Sequence, residues 1–253
     1  MAFGFKYGKL PHQGHPKTLR LSKYMGAGVL PPEELKRAWE YVIQDGKWGM
    51  LGNDEVGNCL EATMLHYLDM VTAWTSGAPA GFETQDAIDL YTAITGYNPA
   101  DPSTDQGTVY TQALAYWQST GIKGHKILGW AEIDYNELGT LHQAISIFGA
   151  ALIGFNVPQS AETQFDAGEP WNVVEPDGGS VGGHAVPIVG FGAEGQTCIT
   201  WGQRQQMDLK YPATYFDESY VVITEEWLTA AQKTPIKGFD LSTLESDLKL
   251  IAA

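Results

Sequence analysis

The hydrophobic pattern of this chain changes period near its middle, and that change limits the folds open to it. In the first half, apolar residues recur at helical spacing. Leu35, Ala38, Trp39 and Val42 do so in PPEELKRAWEYVIQD, and Leu60, Met64, Leu68 and Val71 mark one face of CLEATMLHYLDMVTAW. Prolines and acids open the first of these segments, as a helix's first turn favours. Further helices are predicted over 84–95, 108–119 and 137–148. The segments 150–157, 184–191, 197–201 and 220–224 are instead short apolar runs that read as strands. Helices followed by strands describe an α+β chain, with a helical half over about 32–135 and a sheet-rich half over about 136–253. Between two predicted strands, the polar, glycine-rich segment 158–183 is a long loop of the kind that carries function. The C-terminal FDLSTLESDLKLIAA reads as a closing helix.

At 43% apolar and 11% aromatic, 253 residues can bury a substantial core, which excludes intrinsic disorder. Thirty acids against fifteen bases give a net charge of −15, the wrong sign for a nucleic-acid binder. The bases are unevenly spread. Lys6, Lys9, Lys17, Arg20 and Lys23 all precede the first acid, Glu33, so residues 1–32 carry +5 and the remainder −20. Residues 1–31, rich in Gly, Pro and bases, are expected to form an extended arm that lies across its own acidic body or engages a protein partner. No apolar stretch follows the early lysines, so no signal peptide is visible. The longest apolar run, 144–157, is shorter than the roughly 20 residues a membrane helix needs. A cytoplasmic or virion-associated protein without membrane or nucleic-acid partners is expected.

Two cysteines, Cys59 and Cys198, cannot build a disulfide framework, and six histidines form no HExxH or His-x-His pattern. No metal or other cofactor is expected, which leaves a working thiol. Cys59 opens a predicted helix, where the positive end of the macrodipole favours thiolate. The Gly57-Asn58 pair before it, at the end of the glycine-rich 46–58 loop, argues for an accessible position; a buried small hydrophobe is the alternative. Thiolate attack on an acyl group needs a base. His184 is the best placed, since it follows Gly182-Gly183 and opens HAVPIVGF, which sets its ring at a sheet edge. A hydrogen-bonded structural histidine is the alternative reading.

Taken in order, these segments resemble the papain-like cysteine peptidase superfamily, including bacterial and phage members. Asn53 through Cys59 matches the family's Gln six residues before the nucleophile, GGHAVPIVGFG its histidine strand, and CITWG the strand that follows. DQGTVYTQALAYWQSTGIKG and LGTLHQAISIFGAALIGFNV resemble intervening parts, so the likeness spans about 45–225. It implies a papain-like α+β fold, a helical half packed against an antiparallel sheet or barrel, with the site in the cleft between them. It further implies Cys59 as nucleophile, His184 as base, the Asn53 amide with the Cys59 backbone N–H as oxyanion hole, and Trp201 as a shield behind the imidazole. Asp105 and Gly107 border the groove by the same analogy, or form a plain turn.

One departure concerns the residue that steadies the imidazole. The family has Asn where this chain has Ile199, and Thr200, or an acid from FDESY such as Asp217 or Glu218, is left to supply an acceptor. The family's tryptophan after the cysteine and its disulfides are also missing, with Leu60 following Cys59, and no long inhibitory pro-segment is expected. Trp171 is expected at the cleft edge, and Trp74, Trp117, Trp130 and Trp227 as packing. Three functions fit: a thiol hydrolase of peptide or isopeptide bonds in a peptide or protein substrate; a non-catalytic binding or particle protein on the same scaffold; or a thiol acyltransferase. Cell-wall cross-bridges are a weak substrate candidate, since an anionic wall repels a chain at −15.

Overall fold

Five strands of the second half and two from before it build one sheet with a core on each face. The computed structural model describes residues 5–26, 43 and 47–252, apart from the side chains of 74 and 75. The predicted helix over 31–45 lies outside the described residues except for Ile43, which is buried, and the side chain of Trp74 lies outside them too. The helices are α1 (Cys59–Ser76), α2 (Thr84–Thr95), α3 (Tyr110–Ser119), α4 (Leu138–Phe148), α5 (Gln159–Asp166), α6 (Tyr211–Tyr215), α7 (Glu225–Lys233) and α8 (Leu241–Ala252). The strands are β1 (Leu19–Arg20), β2 (Ile127–Glu132), β3 (Ala151–Pro158), β4 (Ser180–Gly192), β5 (Gly195–Thr200), β6 (Gln203–Met207) and β7 (Phe216–Thr224). They form a seven-stranded sheet in the order β1-β2-β7-β3-β4-β5-β6, antiparallel except where β1 joins β2.

Successive residues of a strand face opposite sides. Leu152, Ala185, Val189, Tyr220 and Val222 therefore meet α1, α2 and α3, while Ile153, Phe155, Val186, Ile188 and Val221 meet α4, α8 and the start of the chain. The predicted strands match β3, β4, β5 and β7 with extended ends. β2 and β6 were not expected. β2 carries Gly129 at its centre, and β6 is the polar QRQQM, so neither offers an apolar run. The long loop expected over 158–183 is shorter than its composition implied, because residues 159–166 form α5 and 180–183 already belong to β4.

Helix α1 is buried around nearly its whole circumference from Cys59 to Met70, not along one face. Its polar residues are accommodated singly: Thr63 donates to the Cys59 carbonyl, His66 Nε2 to the Trp48 carbonyl at 2.8 Å, and Asp69 accepts from the Gly81 amide. Glu61 accepts from the Thr108 hydroxyl through one oxygen, while the other has no partner. Burial pushes its carboxyl up to about 7, against a smaller opposing effect of the Thr108 hydroxyl and the Glu61 amide.

The N-terminal arm is part of this fold. Leu19 and Arg20 add a strand to the sheet, and Leu21 and Tyr24 are buried in the second core. Three of its bases meet acids of the body: Lys9 pairs with Asp217 and Glu218, Arg20 with Glu132 and Lys23 with Asp247. Leu21→Ala is expected to cost about 3 kcal/mol and roughly 10 °C in Tm. Arg20→Ala, at an exposed pair, should cost under about 1 kcal/mol. Equal effects in thermal unfolding would contradict the assignment of the arm to the core.

Glu61 gives a second check. Its folded pKa lies above the ordinary 4.5, so between pH 4.5 and about 7 the native chain keeps a proton that the unfolded chain has released. Stability from this group is thus greatest below pH 4.5 and falls as pH rises through that window. Glu61→Gln should leave Tm unchanged at pH 4 and raise it by several degrees at pH 8, whereas a loss at pH 8 would show that the ionised carboxylate is needed.

Candidate active site

Cys59 is set at the first residue of α1 by a loop that is pinned from two sides. The Asn58 amide donates to the Leu51 carbonyl at 2.8 Å, and the Gly57 N–H donates to both carboxylate oxygens of Asp105. Asp105 also accepts from the Tyr91 hydroxyl, which in turn accepts from the Gly107 N–H. Asp105 and Gly107 thus belong to the wall beside the cysteine.

His184 lies within β4, opposite Phe155 of β3, because the strand starts four residues before it. The expectation of a ring at the sheet edge holds on one side only: β3 pairs with this stretch, whereas β5 joins β4 only from Ile188 onward, and on that outer side the Gly183 carbonyl accepts from the Lys9 N–H at 3.0 Å. The imidazole Nε2 shares a 2.8 Å hydrogen bond with Thr200 Oγ1, and Trp201 stacks on the ring at 4.7 Å and 20°. Thr200 follows Ile199, which is buried in the core. Asp217 and Glu218 do not reach His184; they hold Lys9. The His184 Nδ1 is buried without a hydrogen bond, and burial pushes the imidazole down to about 3. The N–H of Ala185, the next residue, bears on the Cys59 sulfur.

The arm runs through the cleft between these two residues' elements. The Tyr7 ring meets the His184 ring edge-on at 5.9 Å, and Phe5 packs on Trp201 at 4.4 Å. Beyond them, Gly8 accepts from the Thr108 N–H at 2.7 Å and the Leu10 N–H donates to the Thr108 carbonyl at 3.0 Å. Such proximity needs glycine on every side. A Cβ on Gly8 would lie 1.6 Å from the Gly57 carbonyl oxygen, and one on Gly107 or Gly183 would lie 2.2 Å from an arm carbonyl oxygen. The Asn53 amide, expected in the oxyanion hole, donates to the arm's Lys6 carbonyl at 3.2 Å and more weakly to that of Val56.

Cys59 is therefore 1% exposed, which corrects the expectation of an accessible, acidified thiol. Burial pushes it up to about 11, and the backbone N–H groups of Gly8, Ala185 and Lys9 offset this only in part. Trp171 is likewise corrected: it lies deep in the second core, its indole donating to the Ala161 carbonyl, because α5 folds over it. Cys198 is buried in that core too, where burial raises its thiol. Among the described residues no three His, Cys, Asp or Glu side chains are grouped to hold a metal ion, and no helix is long and apolar enough to cross a membrane.

No family model matches the sequence, and no curated protein matches it closely enough to count as a relative. Solved structures do match. Xylellain, a cysteine protease from Xylella fastidiosa, superposes with a TM-score of 0.63 at 12% identity over 88% of this chain and 98% of its own. The Carica candamarcensis cysteine protease CMS1MS2, in complex with E-64, gives 0.54 at 15% identity over 74% and 97%. Procathepsin B S9 from Trypanosoma congolense gives 0.55 at 10% identity over 87% of each chain. The likeness lies in the architecture, helices packed on a mostly antiparallel sheet: this chain has the papain-like cysteine protease fold.

Proposed function

We propose that this chain is a thiol hydrolase that cleaves peptide or isopeptide bonds through Cys59 and His184. The reading rests on the state of the His184 ring. Thr200 and Trp201 fix its orientation, its Nδ1 makes no hydrogen bond, and its neighbour Ala185 directs an N–H at the Cys59 sulfur. In the tautomer with Nε2–H donating to Thr200, Nδ1 is the base. The sulfur gives it a proton and attacks the acyl carbon, and the imidazolium then protonates the leaving amine as the C–N bond breaks. Water attacks the thioester, which releases the acid and restores the thiol. The Asn53 amide, which already holds a peptide carbonyl of the arm, supplies a donor to the oxyanion.

With the arm seated, both groups are neutral, since burial raises the thiol and lowers the imidazole. That state favours a second reading, a scaffold without chemistry, and the two are separable by unseating the arm. Gly8→Ala in the full chain places a methyl group against the Gly57 carbonyl and should displace it. This variant is expected to cut an unfolded polypeptide, read as new N-termini by mass spectrometry. Adding Cys59→Ala should abolish the cuts, and adding His184→Ala should slow them about 100-fold or more. If the unseated chain cuts nothing and iodoacetamide labels Cys59 no faster with His184 than without it, the scaffold reading holds.

A further inference from the structure

The arm places one side chain where a substrate's would go, and what surrounds it is a built site. Lys9 is in the cleft beside Thr108 and Gly183, and its side chain, 1% exposed, runs inward past β3 to two carboxylates of β7. Its ammonium lies 2.7 Å from Asp217 Oδ2 and 3.1 Å from Glu218 Oε1.

Three features shape this pocket to a long cation. First, Gly154 of β3 leaves the channel open: a Cβ there would lie 2.5 Å from Lys9 Cε and 2.7 Å from Glu218 Cγ. Second, Asp217 and Glu218 are adjacent on a strand and would ordinarily face opposite sides. The β3–β7 register pairs Gly154 with Glu218 and Phe155 with Phe216, so Asp217 is an extra residue at an irregularity, and both carboxylates reach one ammonium. Third, Glu218 is buried and its remaining oxygen is fixed by the Tyr220 hydroxyl at 2.9 Å, with His12 Nδ1 at 3.2 Å. A carboxylate held this deep needs a cation, because an ionised group without one is costly in the interior.

We infer that, when the arm is out, this pocket is a specificity site of the cleft and selects peptide substrates that carry a lysine side chain at the position Lys9 now fills. The inference rests on the hydrolase reading and adds its substrate class. The walls bond to the arm at this point through backbone groups of Thr108 and Gly183, which any extended peptide can meet. Selection is left to the side chain. A norleucine, with lysine's carbon chain but no ammonium, would fill the channel and leave Asp217 with only the Asn156 amide and Glu218 with only the Tyr220 hydroxyl and His12, a mismatch that discriminates far more strongly than lost apolar contact.

The test uses the full chain with Gly8→Ala and tripeptidyl vinyl sulfones, with lysine or norleucine placed at each of the three positions in turn and alanine elsewhere. Labelling of Cys59 is followed by intact mass. At one position the lysine probe should react at least about tenfold faster than its norleucine counterpart. That ratio should fall to near one when Asp217→Asn and Glu218→Gln are added; Asp217→Asn alone, at the more exposed carboxylate, should lower it partly and serves if the double variant does not fold. Labelling at equal rates at all three positions overturns the inference and leaves the hydrolase reading intact, as does a lysine preference that survives both substitutions. No labelling by any probe defeats both.

Discussion

The site depends on a close approach of backbones. Gly8 of the arm comes so near to Gly57 and Gly107 on one wall, with Lys9 against Gly183 on the other, that no side chain fits between them. From that approach follow the ladder of arm hydrogen bonds to Thr108 and Gly183, the burial of Cys59 and His184 beneath the arm, and the delivery of Lys9 to Asp217 and Glu218. The Cys59 thiol and the His184 imidazole are both held neutral here, because burial raises the one and lowers the other. The helix start at Cys59 still supplies a favourable dipole, but at an interior position desolvation outweighs it.

The His184 ring is held by a residue other than the one at the position the resemblance pointed to. Ile199 cannot accept a hydrogen bond, and its side chain serves the core instead. The next residue, Thr200, is the last of β5 and its hydroxyl takes the ring nitrogen. Trp201 follows at a positive φ of 44°, a backbone state uncommon for a bulky residue, and lies flat on the imidazole. One hydrogen bond and one stacked face leave the ring little freedom to turn.

Much of this was legible in the sequence because it is local. Short apolar runs marked four strands, the pattern of the first half and of 137–148 marked α1 to α4, and the Gly-Gly-His and Cys-Ile-Thr-Trp-Gly segments led to His184, Thr200 and Trp201. What the sequence did not disclose is long-range. The depth of α1 depends on the sheet and two helices closing around it, and the apolar face of Leu60, Met64, Leu68 and Val71 gives no sign that Glu61 and His66 are buried as well. Trp171 read as a cleft residue because α5, a polar octapeptide that covers it, has no apolar periodicity of its own. The fate of residues 5–13 was visible only as a charge imbalance. Nothing local says that Gly8 lies against Gly57, or that the acids of FDESY, considered as partners for the imidazole, instead receive Lys9.

The most direct test of this account is the pH profile of Cys59 alkylation by iodoacetamide, in the natural chain and in the full chain with Gly8→Ala. In the natural chain the rate should rise only toward a midpoint near 11, the value to which burial lifts the thiol. Once the arm is unseated, the midpoint should fall well below the ordinary 9 of a cysteine, and His184→Ala should return it toward that value. An alkaline midpoint that neither substitution moves would mean that no working pair lies beneath the arm.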